Sequence, residues 1–312
     1  EGPHAGPELE EPEYEQLAAW GPNIGNTDVA AAMMLGYETD NLGFENNEAG
    51  WVISWVMECY EKGILTKEDT DGLEMTWGNV GAVKKMLNKI ARREGFGDVL
   101  AEGVMRASHS VGRGAHNLAI YTKKGNTPRG HDHRTRWYEM FDTCVSNTGT
   151  IETHLMELGM TQFSQPGRPL EMSTAIAETK GMMPFEDSLG VCRFNTRMNL
   201  ELLSQAISAV TGWGFTPEEA NTAGRRIVNL LRAFNIRHGL TPDLEYPSTR
   251  YGSTPVDGPS EGTSIMTHWE PMLDNYYKLM GWDRKTGKPL PETLKSLSLD
   301  HVIKDLWGSK GT

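Results

Sequence analysis

Apolar positions recur with helical spacing along most of the chain. Trp51, Trp55 and Cys59 fall at i, i+4 and i+8 with Val52 and Val56 beside them, which predicts a core helix ending at Gly63. Val80, Val83, Leu87 and Ile90 repeat the pattern. Lys84, Lys85, Lys89, Arg92 and Arg93 load the opposite face and the last turn, where cations suit the carbonyl end of a helix, and Gly95 is expected to stop it. Thr216-Pro217-Glu218-Glu219 combines an N-cap, a first-turn proline and a capping-box glutamate, so a helix is predicted from there to Gly239. Two shorter helical patterns close the chain over 272–279 and 294–306. Alternating strand patterns are rare, so the expected fold is mainly α, without a solenoid repeat.

The turn-forming residues divide this pattern. Residues 1–12 are rich in Pro, Gly and Glu and read as an extended lead-in. The stretch YTKKGNTPRGHDHRTR over 121–136 is dense in Gly, Pro and basic side chains and reads as a junction or functional loop. Two helical domains are therefore expected, over 1–122 and 123–312. The chain starts Glu-Gly-Pro-His without an initiator Met, which suggests a processed or partial product.

Charge narrows the partners. The 42 Asp and Glu outnumber the 30 Lys and Arg, for a net charge of -12, which argues against nucleic acid and anionic membranes. No apolar run approaches the roughly 20 residues of a membrane span. Three cysteines, Cys59, Cys144 and Cys192, form no C-x-x-C pair, which fits a reducing compartment and makes the cytoplasm the default expectation.

The candidate chemistry starts at Asp187-Ser-Leu-Gly190-Val191-Cys192, which echoes Asp40-Asn-Leu-Gly43-Phe-Glu45. A carboxylate accepts N–H groups from a flat heterocycle, a glycine admits backbone to the ring, and a thiol ligates metal. The same spacing recurs from Asp69 to Gly72 and from Asp305 to Gly308, so it also reads as ordinary helix punctuation. A lone Cys such as Cys192 beside Val191 and Phe194 is more often a small buried hydrophobe than a ligand. Glu13 and Glu15 are either carboxylates near a buried site or part of a solvated acidic face. Gly130-His131-Asp132-His133-Arg134 lacks zinc-like spacing and reads as an active-site loop or surface cluster. In 146–154, small polar residues lead to Glu152 and His154, side chains suited to moving protons near neutral pH, although a plain loop fits as well. Dinucleotide, P-loop and serine-hydrolase signatures are absent.

Taken in order, these segments resemble the tungsten-dependent aldehyde:ferredoxin oxidoreductases, specifically their second and third domains. The resemblance runs through PEYEQLAAWGPNIG at 12–25, TDNLGFE at 39–45, MECYEKGIL at 57–65, KIARREGFGDVLAEGVMRAS at 89–108, DSLGVCRF at 187–194 and NLLRAFNIRHGLT at 229–241, and ends in MLDNYYKLMGWD and PETLKSLSLDHVIKDL. It covers nearly the whole chain.

The resemblance implies an enzyme that interconverts an aldehyde and a carboxylic acid on tungsten, or molybdenum, held by two pyranopterins. Electrons would leave through a four-iron four-sulfur cluster to ferredoxin or an iron-sulfur subunit, and magnesium between the pterin phosphates is a further option. By the family's motifs, Asp40, Gly43 and Glu45 match one pterin contact and Asp187, Gly190 and Val191 the other, while Cys192 matches the fourth cluster ligand. Glu13 or Glu15 matches a carboxylate near the metal, and Glu152 stands where many relatives carry His, with His154 two residues on. The other three cluster cysteines, in a C-x-x-C-x-x-x-C segment, and the pterin-seating first domain precede the matched region. An upstream polypeptide or separate chain is therefore expected to supply them, and an oligomer is compatible. Two further readings stand beside this one: a related tungsten subunit that reduces an aromatic CoA thioester, and a non-catalytic helical subunit of a redox complex.

Overall fold

A computed structural model describes residues 12–163 and 166–308. The lead-in expected over 1–12 therefore lies, apart from Pro12, outside the described residues. Among those residues the fold is helical with no β-sheet; pairing is limited to the isolated bridges Thr122 with Pro247 and Trp282 with Pro289. The chain forms two compact units, the first reaching Asp132 and including Pro247–Ser253, the second comprising His133–Tyr246 and the described residues from Thr254 on.

The first unit holds α1 (Tyr14–Trp20), α2 (Val29–Asn41), α3 (Asn46–Glu61), α4 (Val80–Arg92), α5 (Phe96–Leu100) and α6 (Gly103–Val111). Caps explain where they begin. Asp28 accepts the N–H groups of Ala30 and Ala31 at the start of α2, and Glu45 accepts those of Asn47 and Glu48 at the start of α3. The α3 stripe is broader than its spacing predicts. Val52, Ile53, Trp55, Val56, Met57 and Cys59 are all buried, whereas Trp51 is half-buried and donates its indole N–H to Pro128 O at 2.7 Å. Helix α3 packs against α1, the turn at Pro22–Ile24, α2 and α6, which bring Trp20, Ile24, Leu35 and Val104 into the same apolar cluster. Helix α4 is amphipathic as predicted, but Gly95 does not stop it. Arg93 takes the left-handed conformation that closes α4, at φ 52°, and Gly95 starts α5. The segment Pro247–Ser253 joins this unit through Ser248, whose N–H bonds Tyr121 O and whose hydroxyl bonds Ala119 O, each at 2.7 Å.

The second unit contains α7 (Trp137–Val145), α8 (Pro169–Thr179), α9 (Met182–Ser188), α10 (Arg193–Thr196), α11 (Leu200–Thr211), α12 (Pro217–Arg237), α13 (Trp269–Met280), α14 (Pro291–Ser296) and α15 (Asp300–Trp307). Every residue of α7 is buried. Helix α12 begins with the predicted capping box, in which the Thr216 hydroxyl accepts Glu219 N–H and Glu219 accepts Thr216 N–H. It crosses α9 where Gly181 meets Gly224, so closely that a Cβ on Gly224 would lie 2.1 Å from Gly181 O. The final pattern over 294–306 is two helices rather than one. Ser298 adopts φ 56° between them, while Leu294, Leu299, Val302, Ile303 and Leu306 still share one apolar cluster.

Arg232 of α12 is fully buried in an aromatic and ionic network. It pairs with Glu245, donates to Tyr277 OH at 2.6 Å and to Gly287 O at 2.9 Å, and lies 4.2 Å from the Trp282 ring. Burial pulls its pKa down, but the Glu245 charge outweighs burial and holds it above the ordinary value. Such a pair anchors the unit because removing either partner strands a buried charge.

Candidate functional site

The two Asp-x-x-Gly segments fold into the same local module. Helix α2 ends at Asn41 and α9 at Ser188, one residue past Asp40 and Asp187 respectively. Leu42 and Leu189 close these helices at φ, ψ of -80°, -8° and -86°, -7°. Gly43 and Gly190 then turn left-handed at φ 77° and 67°, a region glycine enters without a Cβ penalty. Glu45 and Cys192 follow as N-caps of α3 and α10, at -77°, 123° and -73°, 123°. An added Cβ at either glycine would meet nothing within 4 Å, so both turns present open backbone.

The side chains on the two modules differ. Asp40 is held by two amides: Gln16 Nε2 donates to Oδ2 at 2.7 Å and Asn46 Nδ2 to Oδ1 at 2.6 Å. Gln16 in turn accepts Glu13 N–H at 2.9 Å, and Asn46 accepts the Trp20 indole N–H at 2.8 Å. Each Asp40 oxygen retains a lone pair for a further donor. Glu45 has both carboxylate oxygens engaged by backbone N–H groups, from Asn47 at 2.8 Å and Glu48 at 2.6 Å. Asp187 is exposed and its carboxylate makes no hydrogen bond among the described residues; Val191 is also exposed. Cys192 is an exposed free thiol, with Leu189, Val191 and Phe194 exposed around it, unlike the buried Cys59 and Cys144. Beneath it, Glu186 is fully buried and accepts Met198 N–H at 3.2 Å and the Thr196 hydroxyl, fixing the chain that leaves Cys192.

Glu13 is exposed at the head of α1. Glu15 is half-buried and lies 3.6 Å from the Arg129 guanidinium, while Tyr14 sets its ring 4.9 Å from that of His131. His133, the last residue of the Gly-His-Asp-His segment and the first of the second unit, is buried, and its Nε2 lies 2.9 Å from Glu139 Oε2.

Glu152 and His154 sit on the turn that follows α7. Glu152 is buried; its Oε1 accepts the N–H groups of Asn147 at 2.6 Å and Thr148 at 2.9 Å, and its Oε2 lies 2.9 Å from Lys180 Nζ. Lys180 also donates to Asp142 Oδ1 at 2.5 Å, and Asp142 Oδ2 accepts the N–H groups of Glu152 and Thr153 and the Thr153 hydroxyl. Burial works against the ammonium, but the two carboxylates outweigh it and raise its pKa above the ordinary lysine value. One cation and two carboxylates thus pin the turn to α7 and to the end of α8. His154 Nδ1 lies 3.4 Å from Glu157, which reaches Arg197 at 3.5 Å. Asn147 is also nearly buried, and its side-chain oxygen and nitrogen have no hydrogen-bond partner among the described residues.

Sequence spacing missed Gln16, Asn46, Lys180 and Asn147. Gln16 and Lys180 reach partners 24 and 38 residues away, which local pattern does not encode. Asn147 lay in a segment marked only for its Glu and His, and its unmet hydrogen-bonding capacity emerges from burial alone.

A family model described as aldehyde ferredoxin oxidoreductase, domains 2 and 3, matches residues 1–299. The tungsten-containing aldehyde ferredoxin oxidoreductase of Pyrococcus furiosus is 32% identical over 304 residues, covering 94% of this chain and 49% of the relative. That of Pyrococcus abyssi is 29% identical over 310 residues, covering 95% and 50%. The aliphatic sulfonate oxidoreductase, WOR-like subunit, of Pyrococcus furiosus is 28% identical over 325 residues, covering 98% and 48%. A solved structure of the active site complex BamBC of benzoyl coenzyme A reductase with 1,5 dienoyl-CoA superposes with a TM-score of 0.75 at 22% identity, over 94% of this chain and 49% of that one. At that identity the likeness is one of fold. The chain spans about half the length of the curated relatives it matches.

Proposed function

Because the chain belongs to the aldehyde ferredoxin oxidoreductase family, as its domains 2 and 3, we propose that it forms the helical half of a tungsten-bis-pterin oxidoreductase converting an aldehyde to a carboxylate, or the reverse. The observation that carries this reading is the repeated module: two exposed carboxylates, each followed by an open left-handed glycine, with an exposed thiol on the second copy. The residues present fit a pair of flat, hydrogen-bonding cofactors. Buried acceptors without hydrogen-bond partners among the described residues flank both modules, Asn47 Oδ1 two residues past Glu45 and Glu186 Oε2 next to Asp187. Unsatisfied buried groups are rare in folded proteins and call for a missing partner.

Asp40 and Asp187 would accept ring N–H groups, Gly43, Gly190 and Val191 would offer backbone, and Glu45 would fix the first turn through its helix cap. Cys192 would donate its thiolate to a four-iron four-sulfur cluster. Bound tungsten, or molybdenum, would supply Lewis acidity and a two-electron acceptor at the substrate carbon. His154, at the end of the Lys180-pinned turn, and Glu15, facing Arg129, are the groups we assign to proton movement. Glu152 and Glu13 shape the turn and the head of α1 around them.

The missing cluster ligands and pterin-seating domain are assigned to an upstream polypeptide or partner chain. The exposed Leu189, Val191 and Phe194 beside Cys192 support such a cover. Electrons would pass from the cluster to ferredoxin or an iron-sulfur subunit. No described helix is long and apolar enough to cross a membrane.

Metal and pterin analysis of the native protein tests the reading. Tungsten or molybdenum with two pterins per chain is the expected result, and a protein with intact Asp40 and Asp187 that carries neither would sink it. Turnover of simple aldehydes with a viologen dye, set against an aromatic CoA thioester, separates aldehyde chemistry from the alternative reduction.

A further inference from the structure

The second unit contains a cavity of about 610 Å³, within the range typical of small-molecule sites. Arg136, Trp137, Met156, Pro166, Pro259 and His268 are among its walls. Two features mark it out. Among the described residues the lining holds a guanidinium, an imidazole and three hydroxyls but no carboxylate, in a chain where acids outnumber bases by 42 to 30. The remaining walls are apolar, from Trp137, Met156 and the two prolines.

Arg136 is set in place from behind. Its Nη1 lies 2.8 Å from Oε1 of Glu139, which is fully buried and also accepts Tyr138 OH at 2.7 Å and faces His133 at 2.9 Å. The buried carboxylate of Glu139 thus fixes the direction in which the guanidinium points. His268 stands with its ring 5.6 Å from Trp137, on a separate segment from Arg136. A fixed cation, a second nitrogen base, hydroxyl donors and apolar walls make a complementary site for an anion with a hydrocarbon body. Met156 places this wall two residues from His154, on the same turn.

We propose that this cavity binds a small organic carboxylate, with Arg136 and His268 engaging the carboxylate and Met156, Pro166 and Pro259 packing the apolar body. This rests on the oxidoreductase reading and deepens it: the acid side of the aldehyde–acid pair is held by Arg136 near the turn that carries His154.

The test is calorimetric titration of the protein in its native assembly with benzoate and, as the neutral counterpart, benzyl alcohol. Saturable benzoate binding, tighter than that of benzyl alcohol, is expected, and Arg136→Gln should weaken it at least about tenfold, the usual worth of a charge-assisted hydrogen bond, while leaving benzyl alcohol unchanged. Since Arg136 also braces Glu139, His268→Phe provides a second arm outside that network. It retains a ring against Trp137 and should weaken benzoate several-fold. Benzoate binding no tighter than benzyl alcohol, or indifferent to both variants in folded protein, would overturn the proposal. The measurement needs no turnover: benzoate binding without bound tungsten or molybdenum would remove the oxidoreductase reading alone, and a metal-loaded enzyme with no Arg136-dependent binding would remove the carboxylate site alone.

Discussion

Gln16 on α1 donates its amide to Asp40 Oδ2 at 2.7 Å, while its own oxygen accepts Glu13 N–H at 2.9 Å. A single side chain therefore ties the head of α1 to the carboxylate that ends α2. With Asn46 on the other oxygen, Asp40 is oriented before any ligand arrives.

Gln16→Leu should leave the fold intact and lower stability by about 1.5–3 kcal/mol, the net worth of a hydrogen bond to a charged group. Pterin content of the native protein should fall as Asp40 loses its brace. Denaturant unfolding and pterin fluorescence of the released cofactor check both effects; unchanged pterin content would remove Gln16 from the cradle.

Lys180→Met should be among the most damaging single changes in the second unit. It leaves Asp142 and Glu152 buried together without their cation, a loss of about 3–5 kcal/mol. The pinned turn should loosen with it. Hydrogen exchange across 146–154 should accelerate even under conditions where the variant remains folded.

Thiol labelling should distinguish Cys192 sharply. In cofactor-free protein one equivalent of an aromatic disulfide reagent should react quickly at Cys192, and Cys59 and Cys144 should react only on unfolding, since both are fully buried. Loading the cluster should protect Cys192. Fast labelling that persists in a cluster-loaded sample would exclude it as a ligand.

Alkaline stability should carry the mark of Cys59. Burial, with the nearby Glu58 charge, pushes its thiol up to about 12. A raised acid is protonated in the folded state while the unfolded chain ionises near about 8.5. Its contribution is therefore complete below that value and is lost progressively as pH rises from there toward 12. Cys59→Ala should flatten the slope of unfolding free energy between roughly pH 8.5 and 10 relative to the parent, whatever its effect on absolute stability.

Gly224→Ala should destabilise the α9–α12 crossing, because its Cβ would sit 2.1 Å from Gly181 O, a backbone atom with no rotamer to yield. A loss of about 1–3 kcal/mol or more is expected, read as a lowered melting temperature. The damage would reach the Asp187 module through α9.

How far the sequence reached depended on the range of the interaction. The α12 capping box, the amphipathic α4 and the two helix–glycine–cap modules are set by residues within about four positions of one another, and local backbone energetics decide them whatever lies around. Where local signals competed, only the fold resolved them. Arg93 rather than Gly95 ends α4, and Ser298 breaks the last pattern into two helices, because packing of Leu294 against Leu299 and Val302 repays a strained φ. The site shows the same division. Asp40, Gly43, Asp187, Gly190 and Cys192 are visible as a motif, but the brace from Gln16, the Lys180 clamp on Glu152 and the unmet amide of Asn147 are not. Those depend on which distant side chains burial brings within hydrogen-bond reach, and on which polar atoms it leaves dry; both are properties of the folded chain's path and not of residue spacing.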